Sequence, residues 1–303
     1  MTPQLALPDQ IVSSHAALYI IVGMATLGLS DNFVPHVAAD GSLWQFHLLR
    51  GTLALGALCL IALLGRGSLR PKRPWAVFGR SVFQAGSMLI YFGCLAILPI
   101  GIVVAGLFTS PIFVLLIAVI FQGKRVGWGR SLAIITGFAG ALLVIRPDPA
   151  ALDLVVFLPI LAGLLYAIGA IATRAWCEGE TTLTLSAGFF AMLAVFGAFG
   201  CLLLPSTGTG AEGFAQRGWM PVTADLAFWI AVQAALALVG IFCLFRGYQL
   251  GEASQVAVYE YSLLIFASGW AWYLWGDLVS PVAMAGMALI ALAGIIIVSR
   301  RST

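Results

Sequence analysis

Two stretches of this chain follow one plan, and that plan leaves few folds open. Residues 99–146 hold an apolar run with Thr109 in its middle, the pair Gly123-Lys124, and a second apolar run ending AGALLVIR. Residues 252–300 hold an apolar run with Ser262 in its middle, the pair Gly276-Asp277, and a second run ending AGIIIVSR. The echo falls 153 residues on from Gly123 to Gly276 and 154 residues on from Arg146 to Arg300, so one inserted residue accounts for the change of register. Duplicated hydrophobic segments of this length point to a membrane domain built from two structural repeats, a construction characteristic of secondary transporters.

Composition agrees with a membrane setting. Of 303 residues, 61% are hydrophobic and 9% charged, and the mean hydropathy is +1.04. Soluble domains carry about 45–50% apolar and about 25% charged residues. A formal charge of +3 is too small to imply nucleic acid as a partner. The five cysteines, Cys59, Cys94, Cys177, Cys201 and Cys243, are scattered without paired spacing and read as packing groups. The isolated histidines have no partner one helical turn away, so neither metal nor cofactor is expected.

A spanning helix needs about 20 apolar residues. Runs of that kind fall near 15–35, 43–65, 75–97, 99–121, 127–146, 153–174, 182–204, 225–247, 253–275 and 281–299. The expectation is an all-α integral membrane protein of ten transmembrane helices. With the amino terminus inside, the cytoplasmic ends hold Arg66, Arg70, Lys72, Arg73, Arg80, Lys124, Arg125, Arg130, Arg174, Arg246, Arg300 and Arg301. Only Arg146 and Arg217 fall outside. This asymmetry places both termini in the cytoplasm. Five spans per repeat is odd, so residues 1–148 and 149–303 form two repeats of inverted orientation. The charges fit: Lys124-Arg125 lies inside and its echo Asp277 outside. The glycine-rich stretch 205–224 reads as an external flexible linker, and no GxxxxGK[ST] phosphate loop occurs in the chain.

Polar side chains inside hydrocarbon are costly and usually face a cavity or each other. Arg80, Gln84, Ser87 and Tyr91 form one helical stripe, and Glu252, Gln255, Tyr259 and Ser262 form another, with Glu260 one position round. Thr109 and Ser110 precede Pro111, which frees a carbonyl and bends a helix. Asp31, Arg50, Tyr166 and Gln233 complete the set of intramembrane candidates. Each could equally bond a neighbouring helix. Trp44, Trp75, Trp219, Trp229 and Trp275 read as interface anchors. Gly137, Gly140, Ala285, Gly286, Ala293 and Gly294 signal close helix packing, within the chain or between the subunits of a homodimer.

Taken together, SDNFV (30–34), LLRGTLALGAL around Arg50, YFGCLAIL (91–98), TSP (109–111), GKR (123–125) and the AGALLVI and AGIIIV endings resemble the drug/metabolite transporter superfamily, EamA type. Within it the chain looks most like the YddG-type amino-acid exporters. The family often carries an acidic residue after the fourth-helix glycine; here Lys124 stands there, while Asp277 fits in the second repeat. The resemblance implies a basket of helices one to four and six to nine around a central cavity, with helices five and ten peripheral. The expected activity is export of small metabolites, amino acids including aromatic ones, across the inner membrane by alternating access. Gln84, Ser87, Thr109, Ser110 and Gln233 would meet the substrate's polar ends, and Tyr91, Tyr166, Tyr259 and Ser262 would complete the cavity. Glu260, Arg50 and Asp31 are the coupling or ion-pair candidates. Glu260 has three open roles: an anchor paired with Arg50 or Arg246, a ligand for a substrate ammonium, or a proton carrier. Efflux of lipophilic cations is the alternative within transport, and a membrane-embedded enzyme the alternative outside it, although no nucleophile or metal cluster stands out.

Overall fold

A computed structural model describes residues 9–94, 98, 100–121, 123, 127–146, 155, 157–207 and 213–299. Lys124, Arg125, Arg300, Arg301, part of the YFGCLAIL motif and the boundary between residues 148 and 149 lie outside them. All regular structure in the described residues is helical: α1 (Asp9–Asp31), α2 (Val34–Asp40), α3 (Leu43–Leu63), α4 (Pro74–Cys94), α5 (Ile100–Leu107), α6 (Ser110–Ile120), α7 (Trp128–Ile145), α8 (Phe157–Ala175), α9 (Thr182–Leu203), α10 (Ala224–Leu250), α11 (Ala253–Glu260), α12 (Ser262–Trp275) and α13 (Pro281–Ser299). Hydrocarbon offers the backbone no hydrogen-bond partners, so long apolar segments satisfy their own amides as helices.

Three short breaks, between α1 and α2, α5 and α6, and α11 and α12, join these pieces into ten rods. Seven stretches are long and apolar enough to cross a membrane: 14–40, 43–63, 103–120, 128–145, 157–175, 182–203 and 224–250. The other three expected spans are weaker by that criterion for local reasons. In α4, Arg80, Gln84 and two serines interrupt the apolar length. The rod of α11 and α12 is divided at Tyr261, and the apolar part of α13 is short.

Two of the breaks are the same device used twice. At the first, the Thr109 hydroxyl donates to the Gly106 carbonyl at 2.6 Å. At the second, the Ser262 hydroxyl donates to the Tyr259 carbonyl, also at 2.6 Å. Each hydroxyl donates to a carbonyl three residues back, beside a break in the helical ladder, and at the first break Pro111 lacks the amide that would continue it. Both Gly123 (φ 62°) and Gly276 (φ 74°) adopt left-handed backbone after these rods, a conformation that a Cβ penalises.

Packing pairs the rods across the two halves of the chain. α1 lies on α10, α4 on α8, α3 on α9, and α7 on α13. Exchanging each rod for its counterpart five rods on returns the same set of pairs. α7 and α13 approach closely. A Cβ on Gly140 would sit 2.6 Å from the Gly286 carbonyl oxygen, and a Cβ on Gly286 would sit 2.6 Å from that of Gly140. The small-residue stripe is therefore filled within one chain, by backbone-to-backbone contact of the kind that holds membrane helices together.

The segment expected to be a flexible linker is instead pinned where it is described. Arg217 donates to the carbonyls of Ala38 (3.1 Å) and Gly41 (2.6 Å). Ser42 donates to Gly218 (2.6 Å) and Trp44 to Ala215 (2.9 Å). The corner between α2 and α3 would otherwise leave buried carbonyls without donors, and this segment supplies them.

Candidate functional site

α1, α3, α4, the α5–α6 junction, α8, α9, α10, α11 and α12 all contribute to a central cavity of about 100 Å³. Neither α7 nor α13 reaches it. Its wall is mostly apolar and aromatic, with Phe92, Phe108 and Phe189 among the rings. The polar groups facing it are Ser30, Asp31, Arg50, Tyr91, Ser110, Tyr166 and Glu260.

Arg50 is buried, with its guanidinium carbon 4.3 Å from the Phe46 ring centre and 5.5 Å from that of Phe92. Its Nη2 lies 3.3 Å from His47 Nδ1, and its Nε has no hydrogen-bond partner among the described residues. Asp31 is the carboxylate that attracts it, without contact-distance pairing. Stacking on two aromatic faces offsets part of the cost of a buried cation.

Across the cavity, Glu260 Oε1 accepts from Tyr166 Oη at 3.2 Å and from Tyr248 Oη in a short hydrogen bond. The expected pairing with Arg50 or Arg246 does not occur. Arg50 is engaged as above, and Arg246 lines a separate polar pocket of about 690 Å³ at the turn between α8 and α9. Tyr248 is the residue that sequence reasoning missed. It was detectable, because Gln233, Ala237, Ile241, Leu244 and Tyr248 recur every three or four residues along one face of α10. Ala237, Ile241 and Leu244 line the cavity.

Six expected site residues meet there: Asp31, Arg50, Tyr91, Ser110, Tyr166 and Glu260. The others are elsewhere. Gln233 and Ser30 form a closed pair, Ser30 Oγ donating to Gln233 Oε1 at 2.5 Å and Gln233 Nε2 to the Ser30 carbonyl at 2.5 Å. The Ser87 hydroxyl donates to the Ala162 carbonyl (2.7 Å). Gln84 packs on Gly169, where a Cβ would lie 2.6 Å from its Cγ. Thr109 caps its own helix break. Tyr259 and Ser262 line a distinct apolar groove of about 440 Å³ with Phe266 and Ile290. The reason is angular: neighbouring helix positions diverge by about 100°, and it is Glu260 that points inward.

Arg80 closes one end of this arrangement. Fully buried, it donates to Thr173 Oγ1 (2.9 Å) and the Leu185 carbonyl (3.0 Å), with its guanidinium carbon 3.6 Å from the Phe245 ring centre. It thereby ties α4 to α8, α9 and α10. Thr173 also faces the polar pocket that holds Arg246. No group of His, Cys, Asp and Glu able to hold a metal occurs among the described residues.

Residues 14–146 match the EamA-like transporter family. A riboflavin transporter of Rhizobium johnstonii is 28% identical over 260 residues, covering 86% of this chain and 80% of its own length. A pseudopaline exporter of Pseudomonas aeruginosa is 25% identical over 246 residues, covering 79% and 81%. An S-adenosylmethionine uptake transporter of Rickettsia bellii is 20% identical over 242 residues, covering 80% and 78%. These names agree with the superfamily expected from the motifs and do not single out amino-acid exporters within it. A crystal structure superposes with a TM-score of 0.72 over 95% of both chains at 17% identity, a likeness of fold.

Proposed function

We propose that this chain, whose residues 14–146 match the EamA-like transporter family, is a membrane transporter that carries small amphipathic metabolites by alternating access. Amino acids, aromatic ones included, are the substrate class we put first, and export across the inner membrane is the direction. The observation that carries the reading is the cavity itself. Eight of the ten rods line it, it holds charges of both signs, and aromatic rings form its wall. An apolar site with a few convergent polar groups is what an amphipathic ligand requires. The pairing of rods across the halves supports two inverted five-helix repeats, residues 1–148 and 149–303, crossing the membrane ten times with both ends cytoplasmic.

At about 100 Å³ the cavity is smaller than the 300–1,000 Å³ typical of ligand sites. Loading therefore requires the halves to separate, and the breaks at Thr109 and Tyr261 are where two rods can bend without losing regular helix. Tyr91 and Arg50 would hold opposite ends of a ligand, the ring against its apolar part and the guanidinium against its carboxylate. Efflux of lipophilic cations fits less well, since such a cation would meet Arg50.

Purified protein in liposomes, loaded in turn with phenylalanine, glycine, riboflavin and S-adenosylmethionine, tests the reading by counterflow of each labelled compound in both directions. Saturable exchange of at least one compound above protein-free liposomes is expected, and Tyr91→Ala should impair phenylalanine more than glycine. Flux that never saturates, or exchange absent across the panel, would overturn it.

A further inference from the structure

We propose that Glu260 is a proton-binding site that couples transport to the proton gradient, with Tyr166 and Tyr248 as the clamp that senses its charge. This rests on the transport reading above but is tested separately from it.

The geometry narrows the role of this carboxyl group. Glu260 is 5% exposed, and no basic side chain among the described residues lies within ion-pair distance. Both of its donors are neutral hydroxyls, and both reach Oε1. No hydrogen bond to Oε2 exists among the described residues, while the side chain lines the cavity. An ionised carboxylate in such a place needs a compensating cation. A proton needs only the free Oε2, whereas a metal cation would need several oxygen ligands at once.

The surroundings leave that role to Glu260. Of the elements packed on α11, α8 brings Tyr166 and α10 brings Tyr248. Tyr261 follows in the chain and donates to the Phe108 carbonyl (3.3 Å). Asp31 of α1, Arg50 of α3 and Tyr91 of α4 share the cavity. Arg80 of α4 is tied to Thr173 and stacked on Phe245. Arg130 of α7 pairs with Glu252 (2.8 Å) at the opposite end of α11. α6 and α13 contain no titratable residue in their described lengths. Asp31 shares the cavity with the Arg50 guanidinium, beyond ion-pair distance, whereas the hydrogen-bond partners of Glu260 are two neutral hydroxyls.

The step is a simple proton transfer. Glu260 Oε2 takes one proton from a hydronium ion reaching the cavity from the proton-rich side, leaving water and a neutral acid. It returns that proton to water when the cavity faces the other side. Hydrogen bonds to an ionised acceptor are about twice as strong as neutral ones. Protonation therefore loosens the tyrosine contacts that draw α8 and α10 onto the end of α11, next to its break at Tyr261. Proton occupancy and helix movement are linked through one carboxyl group.

The test is a difference titration of detergent-purified protein, wild type against Glu260→Gln, from about pH 4 to about pH 9, the range carboxyl groups span in water and in buried sites. The variant should bind one proton fewer per chain. Tyr248→Phe, which retains the acid, should move the titration midpoint to higher pH by about one unit or more, because a donor to the ionised form is gone. In liposomes, wild type should accumulate whichever compound it exchanges when a pH gradient is imposed, and Glu260→Gln should lose that pH-driven accumulation. Identical titration curves for wild type and Glu260→Gln would overturn the inference even if transport is normal. So would an unmoved midpoint in Tyr248→Phe, or wild-type accumulation driven by sodium and indifferent to pH. A one-proton difference in a protein that exchanges nothing in the panel would uphold the site and sink the transport reading instead.

Discussion

Replacing Gln233 by Leu should weaken the fold while leaving substrate affinity near that of the wild type. The side chain spans from α10 to the end of α1, and both ends of its amide are engaged by Ser30 at 2.5 Å. Hydrogen bonds between membrane helices average about 0.6 kcal/mol each and reach about 1.7. Two of them set a range of about 1–3 kcal/mol. The structure argues for the lower part of that range. The Ser30 carbonyl also accepts from the Phe33 amide at 3.0 Å and keeps that bond in the variant. The Ser30 hydroxyl can turn back to the carbonyl one turn earlier, as serines in membrane helices do. Leu also fills most of the space that Gln occupied, so little cavity forms. The expected loss is about 1–2 kcal/mol, seen as a lower midpoint in unfolding by sodium dodecyl sulfate. Ser30→Ala should cost a similar amount, and the double variant less than the sum, because both singles break the same pair. Unchanged stability in Gln233→Leu together with a raised half-saturation concentration would refute this account and make Gln233 a ligand for substrate.

Gly140→Val should separate α7 from α13, since even its Cβ would meet the Gly286 carbonyl at 2.6 Å. A loss of about 1–3 kcal/mol in the same unfolding assay is expected, with exchange retained because neither helix touches the cavity; wild-type stability would show that the two backbones are not in contact. Gln216→Cys, in a background without the native cysteines, should react with an impermeant thiol reagent added outside intact cells. Reaction only in inverted membrane vesicles would reverse the orientation proposed here.

Much of this protein could be read from residues in order. Hydropathy marked out the ten rods, and the repeat paired Thr109 with Ser262 and Gly123 with Gly276. Those four residues act through local backbone, two capping carbonyls within their own helices and two ending rods in left-handed conformation. Local rules of that kind operate over three or four residues, which is why they survive in a bare sequence.

The cavity is a different matter. Periodicity grouped Glu252, Gln255, Tyr259 and Ser262 on one face and left Glu260 beside it, but a helical stripe carries no information about which way it turns. The packing of α11 against α8 and α10 turned Glu260 inward, and Tyr259 with Ser262 toward an apolar groove. Likewise nothing near Gln233 announces Ser30, which is 203 residues away and takes both ends of its amide. Tyr248 shares a helical face with Gln233, yet only the arrival of α11 makes it a partner of a carboxyl group. The sequence alone settled the kind of solvent this chain folds in and where its helices run and break, because those depend on composition and near neighbours. The rotation of each helix about its own axis is decided by contacts with all the others at once, and that rotation is what separates a residue that meets a substrate from one that holds two helices together.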